Sequence, residues 1–298
     1  MKKWYFSILM ASFIFFGFPA KAELVSHEFN GIIYVDESTV EEIENLFDKY
    51  GYRYFRGKQD NAFPAIFLKK LPKDYASIES QKYRNELFIR ILTPLALKIN
   101  EELSNERHTL LRLERSLERN KTLTPEENAK LEELALKYDY FLRNKDESRA
   151  ANLIENLKLR INVIPPSILV AVAAMETNWG FSRIAQEANS LYKEKVWYTD
   201  EGLEPLENKD DGYRFKIFDS LIDSMRSYAL TFNSNISYQN VWDTRVQAAA
   251  RQDKLIGESI AYSLAHASNL PNFVGILDYT TAFYDLFSID IGHLQRIK

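Results

Sequence analysis

Glu176 closes an apolar run, Ser167-Ile168-Leu169-Val170-Ala171-Val172-Ala173-Ala174-Met175, and is followed by Thr177-Asn178-Trp179-Gly180. A carboxylate at the end of a buried helix loses water, and desolvation favours the protonated acid. Such an acid can hand its proton to a leaving oxygen, which glycoside cleavage requires. Trp179 lies three residues on, the spacing that places two side chains on one helix face. Its ring could shield the carboxyl or stack on a sugar. Gly180 would let the backbone turn close to a ligand. A structural role, with Glu176 pairing a buried arginine or capping a backbone group, also fits these residues. Further along lies a polar stretch, Glu201 to Asp211, in which Glu201 and Glu204, with Asp200 just before it, are neighbouring acids. Aromatic residues surround that stretch: Tyr192, Trp197, Tyr198 and Tyr213. They offer flat apolar faces with a polar edge, the shape of a sugar platform, although each also fits ordinary packing.

The elements that would hold these residues are mostly helices. Ser38-Thr39-Val40-Glu41 has the form of a capping box, and Val40, Ile43, Leu46 and Phe47 then share a face. Tyr52 to Leu71 is strand-like or irregular. Asp74 is a candidate cap for a long helical pattern from about Ser80 to Leu117, which Pro94 should kink or break. Thr124-Pro125-Glu126-Glu127 opens another helix, running towards Arg143. A helix from Arg149 to about Arg160 leads to Pro165-Pro166, and the apolar helix should span Ser167 to about Trp179. Tyr192 to Phe218 is hairpin-like. Helical patterns resume at Ser220 to Asn233, Asn240 to Gln252, Leu255 to Ala267 and Asn272 to Phe287.

The amino terminus, MKKWYFSILMASFIFFGFPAKA, has a basic start, an apolar run from Trp4 to Phe18 and a small-x-small site at Ala20-Lys21-Ala22. That is the pattern of a secretory signal cut near Ala22, and no later stretch is apolar enough for a membrane span. Losing it takes the balance from 38 basic against 42 acidic residues to 35 against 42. An acidic chain is a poor general partner for nucleic acid. There is no cysteine, and four scattered histidines suggest no metal site, so no cofactor is expected. The sequence does not identify a protein partner.

Several motifs in order resemble the glucosaminidase family of peptidoglycan hydrolases, glycoside hydrolase family 73. They are Pro165-Pro166-Ser167, then Ala174-Met175-Glu176-Thr177-Asn178-Trp179-Gly180-Phe181-Ser182, similar to A-x-E-S-x-W-G-x-S. Asn189-Ser190-Leu191-Tyr192 resembles N-N-L-F, Thr199-Asp200-Glu201 resembles T-x-E, and Phe215 to Ser220 resembles F-R-x-Y-D-S, followed by a helix with Ser224 and Tyr228. The stretch from Pro64 to Leu103 resembles the Bax-type branch. The resemblance implies a mainly α, lysozyme-like domain with a small β-hairpin lobe over residues 149–298, preceded by a helical region over 23–148. It implies a periplasmic or secreted hydrolase acting on the β-1,4 bond of peptidoglycan glycan strands as an endo-β-N-acetylglucosaminidase. Glu176 would be general acid and Glu201 the base, with Trp179, Asn189, Tyr192, Trp197 and His266 binding substrate. A substrate-assisted route stays open. Two positions depart from the family pattern: Lys193 replaces a glycine, and His266 stands where a tyrosine is common. A muramidase or lytic transglycosylase of similar fold, or a non-catalytic cell-wall-binding scaffold, are the alternatives.

Overall fold

The computed structural model describes residues 24–53, 61–141, 148–199, 201–207, 211–251, 257–266 and 272–297. The proposed signal segment and its cleavage site, and also Asp200, lie outside the described residues. Strands β1 (Val25–Phe29) and β2 (Ile32–Glu37) pair antiparallel, and β4 (Ile66–Leu68) adds to β2 in parallel. Strand β3 (Ala62–Pro64) pairs in parallel with β7 (His293–Gln295), tying the carboxyl-terminal end back to the preceding region. Helix α1 (Val40–Lys49) is capped by Thr39 and Glu42, so its capping box starts one residue later than the sequence pattern suggests. Asp74 instead accepts the Val40 amide at 2.8 Å, and Ser80 caps the long helix α2 (Gln81–Asn120).

Pro94 does not interrupt α2. A proline lacks the N–H that would reach the carbonyl four residues back. Here the Tyr52 hydroxyl donates to that carbonyl, Arg90 O, at 3.0 Å. The main cost of an internal proline is thus met by a side chain from outside the helix.

Helix α2 serves two apolar clusters. Its first half packs with the sheet, with α5 (Pro166–Thr177) and with α7 (Leu221–Ser234) in the main core. Its second half packs with α3 (Pro125–Lys137) and α4 (Arg149–Arg160) in a smaller cluster around Leu110, Tyr138 and Leu157. Helix α3 ends at Lys137, short of Arg143. Helices α6 (Arg183–Ala188), α8 (Gln239–Ala250), α9 (Gly257–Ala261) and α10 (Phe273–Phe283) complete the helical body. Strands β5 (Lys195–Trp197) and β6 (Tyr213–Phe215) form the expected hairpin, with Trp197 opposite Tyr213. The fold is mainly α with this hairpin lobe. The sheet around β2 makes the preceding region less purely helical than the motifs imply.

Candidate active site

Helix α5 is buried almost all round, and its sequence explains why: Ile168, Leu169 and Val170 fill the core, while Ala171, Ala173 and Ala174 let neighbours approach closely. Its N-terminus is fixed from a distance. Asp290 accepts the Ser167 amide at 2.8 Å, the Ser167 hydroxyl at 2.9 Å and the Gly257 amide at 2.7 Å. A Cβ on Gly257 would lie 2.1 Å from Ser167 Oγ, so only glycine fits there. Burial raises the Asp290 carboxyl to about 6, against the three hydrogen bonds that lower it.

The other end carries the candidate chemistry. Helix α5 stops at Thr177, two residues earlier than its pattern suggests. Asn178, Trp179 and Gly180 follow with φ of 50°, 59° and 74°. The reversal is held by Thr177, whose hydroxyl donates to Ala173 O at 2.6 Å and accepts the Gly180 amide at 2.9 Å. A Cβ on Gly180 would meet Leu71 Cδ1 and Phe88 Cε2 at 2.9 Å. Gly180 therefore permits close packing against the core rather than a turn beside a ligand. Because the helix has ended, the three-residue spacing of Glu176 and Trp179 is not a shared helix face. The half-buried Trp179 ring packs on Tyr284 at 4.6 Å and edge-on to Phe88 at 6.2 Å. Its carbonyl accepts the Tyr75 hydroxyl at 2.8 Å.

Glu176 is 17% exposed, and its Oε2 lies 3.3 Å from Lys193 Nζ. Lys193 is exposed and has φ of 50°, a conformation that favours glycine. Tyr228 and Tyr238 lie close enough to Glu176 that its charge, with burial as the larger cause, raises both phenols. Tyr238 also feels Glu194. Glu194 Oε2 accepts the Ser227 hydroxyl at 2.7 Å and lies 3.8 Å from Lys216 Nζ, while Oε1 is buried without a partner. Burial raises this carboxyl above the usual range. Lys193, Glu194 and Tyr238 were not picked out as site residues from the sequence. The glycine-to-lysine departure was the available signal for the first. The other two carried none.

The remaining candidates separate by burial. Tyr192 is stacked on Tyr228 at 4.0 Å and donates to Leu169 O at 3.1 Å, so its ring faces the core and offers no platform. Asn189, with φ of 49°, ends α6 and donates to Phe218 O at 2.9 Å; it is 7% exposed. Leu191 N, between them, donates to Ser224 Oγ of α7 at 2.9 Å, and Lys216 N closes the base of the hairpin on Glu194 O. Trp197, by contrast, is 53% exposed and lies 5.5 Å from the Tyr213 ring. Lys195 Nζ sits 3.7 Å from the centre of Tyr213. Glu201 is exposed on the lobe, and its amide donates to Thr199 Oγ1 at 3.1 Å. His266 ends the 3-10 turn Tyr262–His266; its side chain lies outside the described residues.

Residues 151–270 match the model of the glucosaminidase family, mannosyl-glycoprotein endo-beta-N-acetylglucosaminidase. The chain is 25% identical to protein bax of Escherichia coli strain K12 over 208 residues, covering 70% of this chain and 71% of that one. The catalytic domain of the autolysin Auto from Listeria monocytogenes is similar at 18% identity, covering 57% of this chain and 99% of that one. The TM-score is 0.30. No helix among the described residues is long and apolar enough to cross a membrane. Glu176, Lys193, the hairpin and Tyr228 all lie inside the matched segment, so the candidate site falls within a stretch similar to the glucosaminidase family of peptidoglycan hydrolases, in a chain similar to protein bax.

Proposed function

We propose that the protein is an exported glycosidase that cuts peptidoglycan strands as an endo-β-N-acetylglucosaminidase, with Glu176 as proton donor. The observation that carries this reading is the placement of Glu176: a largely covered carboxylate in the last turn of a fixed helix, paired with Lys193 and near Tyr228 and Tyr238. A proton donor works best when its geometry is set before substrate arrives. Here Thr177 and the cap by Asp290 set both ends of its helix. Glu201, exposed on the lobe, is the base or charge stabiliser in this reading. Trp197 and Tyr213 give sugar rings a surface to stack on. Its place of action is outside the cytoplasm, in keeping with the basic and apolar amino terminus.

Mass spectrometry of fragments released from purified sacculi tests this. The expected products end in reducing N-acetylglucosamine and vanish with Glu176→Gln, whose near-isosteric amide preserves folding. Wild-type rates in that variant would remove Glu176 from the mechanism. Glu201→Gln should lower the rate strongly; if Glu204→Gln does so instead, the second acid is Glu204. Muramic ends would move the protein to a muramidase or lytic transglycosylase cleavage.

One observation favours a second reading. Lys193 already engages Glu176 Oε2, one of the two oxygens that could carry the proton for a leaving oxygen. A protein that holds glycan strands without cutting them would retain sacculus binding, release no fragments and keep that ion pair in place.

A further inference from the structure

A cavity of about 540 Å³ opens between α2, α4 and α8, walled by elements of the smaller core. Its apolar wall includes Leu117, Ile154 and Val246, and it also reaches Arg107 and Arg245. Arg245 is 3% exposed. One nitrogen, Nη1, donates to Asn233 Oδ1 at 2.8 Å and to Arg160 O at 3.4 Å. Its Nε and Nη2 are buried and have no hydrogen-bond partner. Arg107 donates to the Lys158 and Ile161 carbonyls at 3.0 and 2.5 Å, so it too is held by neutral groups. Among the described residues no carboxylate forms an ion pair with either guanidinium. Burial, and then the charge of Arg107, lowers the Arg245 guanidinium to about 9, so it stays protonated at neutral pH.

A buried charge normally carries a counter-charge, because removing it from water is costly. Two guanidinia that repel one another and share no anion are therefore an unfinished arrangement. The acids of the cavity do not complete it. Glu114 is engaged by Lys158 and its charge acts on Arg107, but not on Arg245; Glu118 and Glu155 are exposed, where solvent screens them. We propose that this cavity binds a small organic carboxylate, its anionic end at Arg245 and Arg107 and its apolar part on Leu117, Ile154 and Val246. The site is separate from Glu176 and does not depend on the glycosidase reading. Its volume falls within the usual range for small-molecule sites.

The test uses the full chain after removal of the amino-terminal segment, with hexanoate as probe and neutral hexanamide as control at matched ionic strength. Ligands that bind only the folded state raise the melting temperature, so about 10 mM hexanoate should raise it by about 2–4 °C, with little effect from hexanamide. Calorimetric titration should show saturable one-site binding. Arg245→Met and Arg107→Gln should each remove the hexanoate shift. If Arg245→Met does not fold, Arg107→Gln and the hexanoate-to-hexanamide contrast still decide the matter. Equal shifts from the two compounds, no shift from hexanoate, or a full shift retained in Arg107→Gln would overturn the proposal.

Discussion

A lysine at φ of 50° is a small expense in the fold, of order 1 kcal/mol for a residue with a Cβ in the left-handed region. At Lys193 that strain holds an ammonium 3.3 Å from the carboxylate proposed to give up a proton. Lys193→Gly removes both the strain and the occupant of Oε2. The expected result is unchanged or slightly raised stability, with fragment release from sacculi rising by up to about a hundredfold, the lower end of a general acid's contribution. An unchanged rate would mean that substrate displaces Lys193 without penalty. The sequence showed that position 193 departs from the family pattern, but not that the two side chains meet across seventeen residues. It also could not sort the aromatics. Tyr192 and Trp197 are both aromatic residues near the lobe, yet one is stacked against Tyr228 in the core and the other is half exposed. Only the packing of α7 beneath the lobe decides between them.

At the level of elements, two helices depend on groups that a local pattern cannot display. Helix α2 passes through Pro94 because Tyr52, distant in sequence, serves the carbonyl that proline leaves without a donor. Tyr52→Phe should cost about 1–2 kcal/mol in urea denaturation, the penalty for a buried carbonyl left unpaired. The cost should shrink in a Pro94→Ala background, where the helix supplies its own N–H. An undiminished cost would assign the Tyr52 effect to packing alone. Helix α5 depends on Asp290 in a similar way. Its acid is raised by burial from 3.8 to about 6, so the folded state holds the proton more tightly than the unfolded chain. That contribution is complete below 3.8 and is lost as pH rises through 6, on the order of 1–3 kcal/mol. Asp290→Asn presents an amide to two of the donors and should be less stable. The stability gap between wild type and this variant should narrow as pH rises from about 4 to 7. A gap that widens over this range would contradict the burial of Asp290. The capping box of α3 was legible because it is local. The Pro94 and Asp290 solutions were not, because each joins elements far apart in sequence.

At the scale of the whole molecule, the motif-based division near residue 148 separates a preceding region from a catalytic domain, and the family match begins at residue 151. The apolar core ignores that division. Phe88, Leu92 and Leu95 of α2 belong to the same buried cluster as Ile168, Leu169 and Met225, and the Gly180 turn beside Glu176 closes on Leu71 and Phe88. Strand β7 returns to β3, where Ala65 N donates to Gln295 O and His293 N to Asn61 O. A fragment of residues 149–298 would expose the faces of α5 and α7 that α2 covers. Burying a large aliphatic or aromatic side chain contributes about 1.5–3 kcal/mol, and a domain's net stability is only about 5–15 kcal/mol. Losing several such contacts exceeds that margin. The fragment is expected to show no cooperative melt by circular dichroism and no fragment release from sacculi. Residues 23–298 should melt with the aromatic near-ultraviolet signal and the helical signal lost together. A fragment that melts cooperatively and still cuts glycan would make the preceding region an appendage. A fragment that neither melts cooperatively nor cuts glycan would make it part of the scaffold that aims Glu176, placing α2 among the groups on which the chemistry depends.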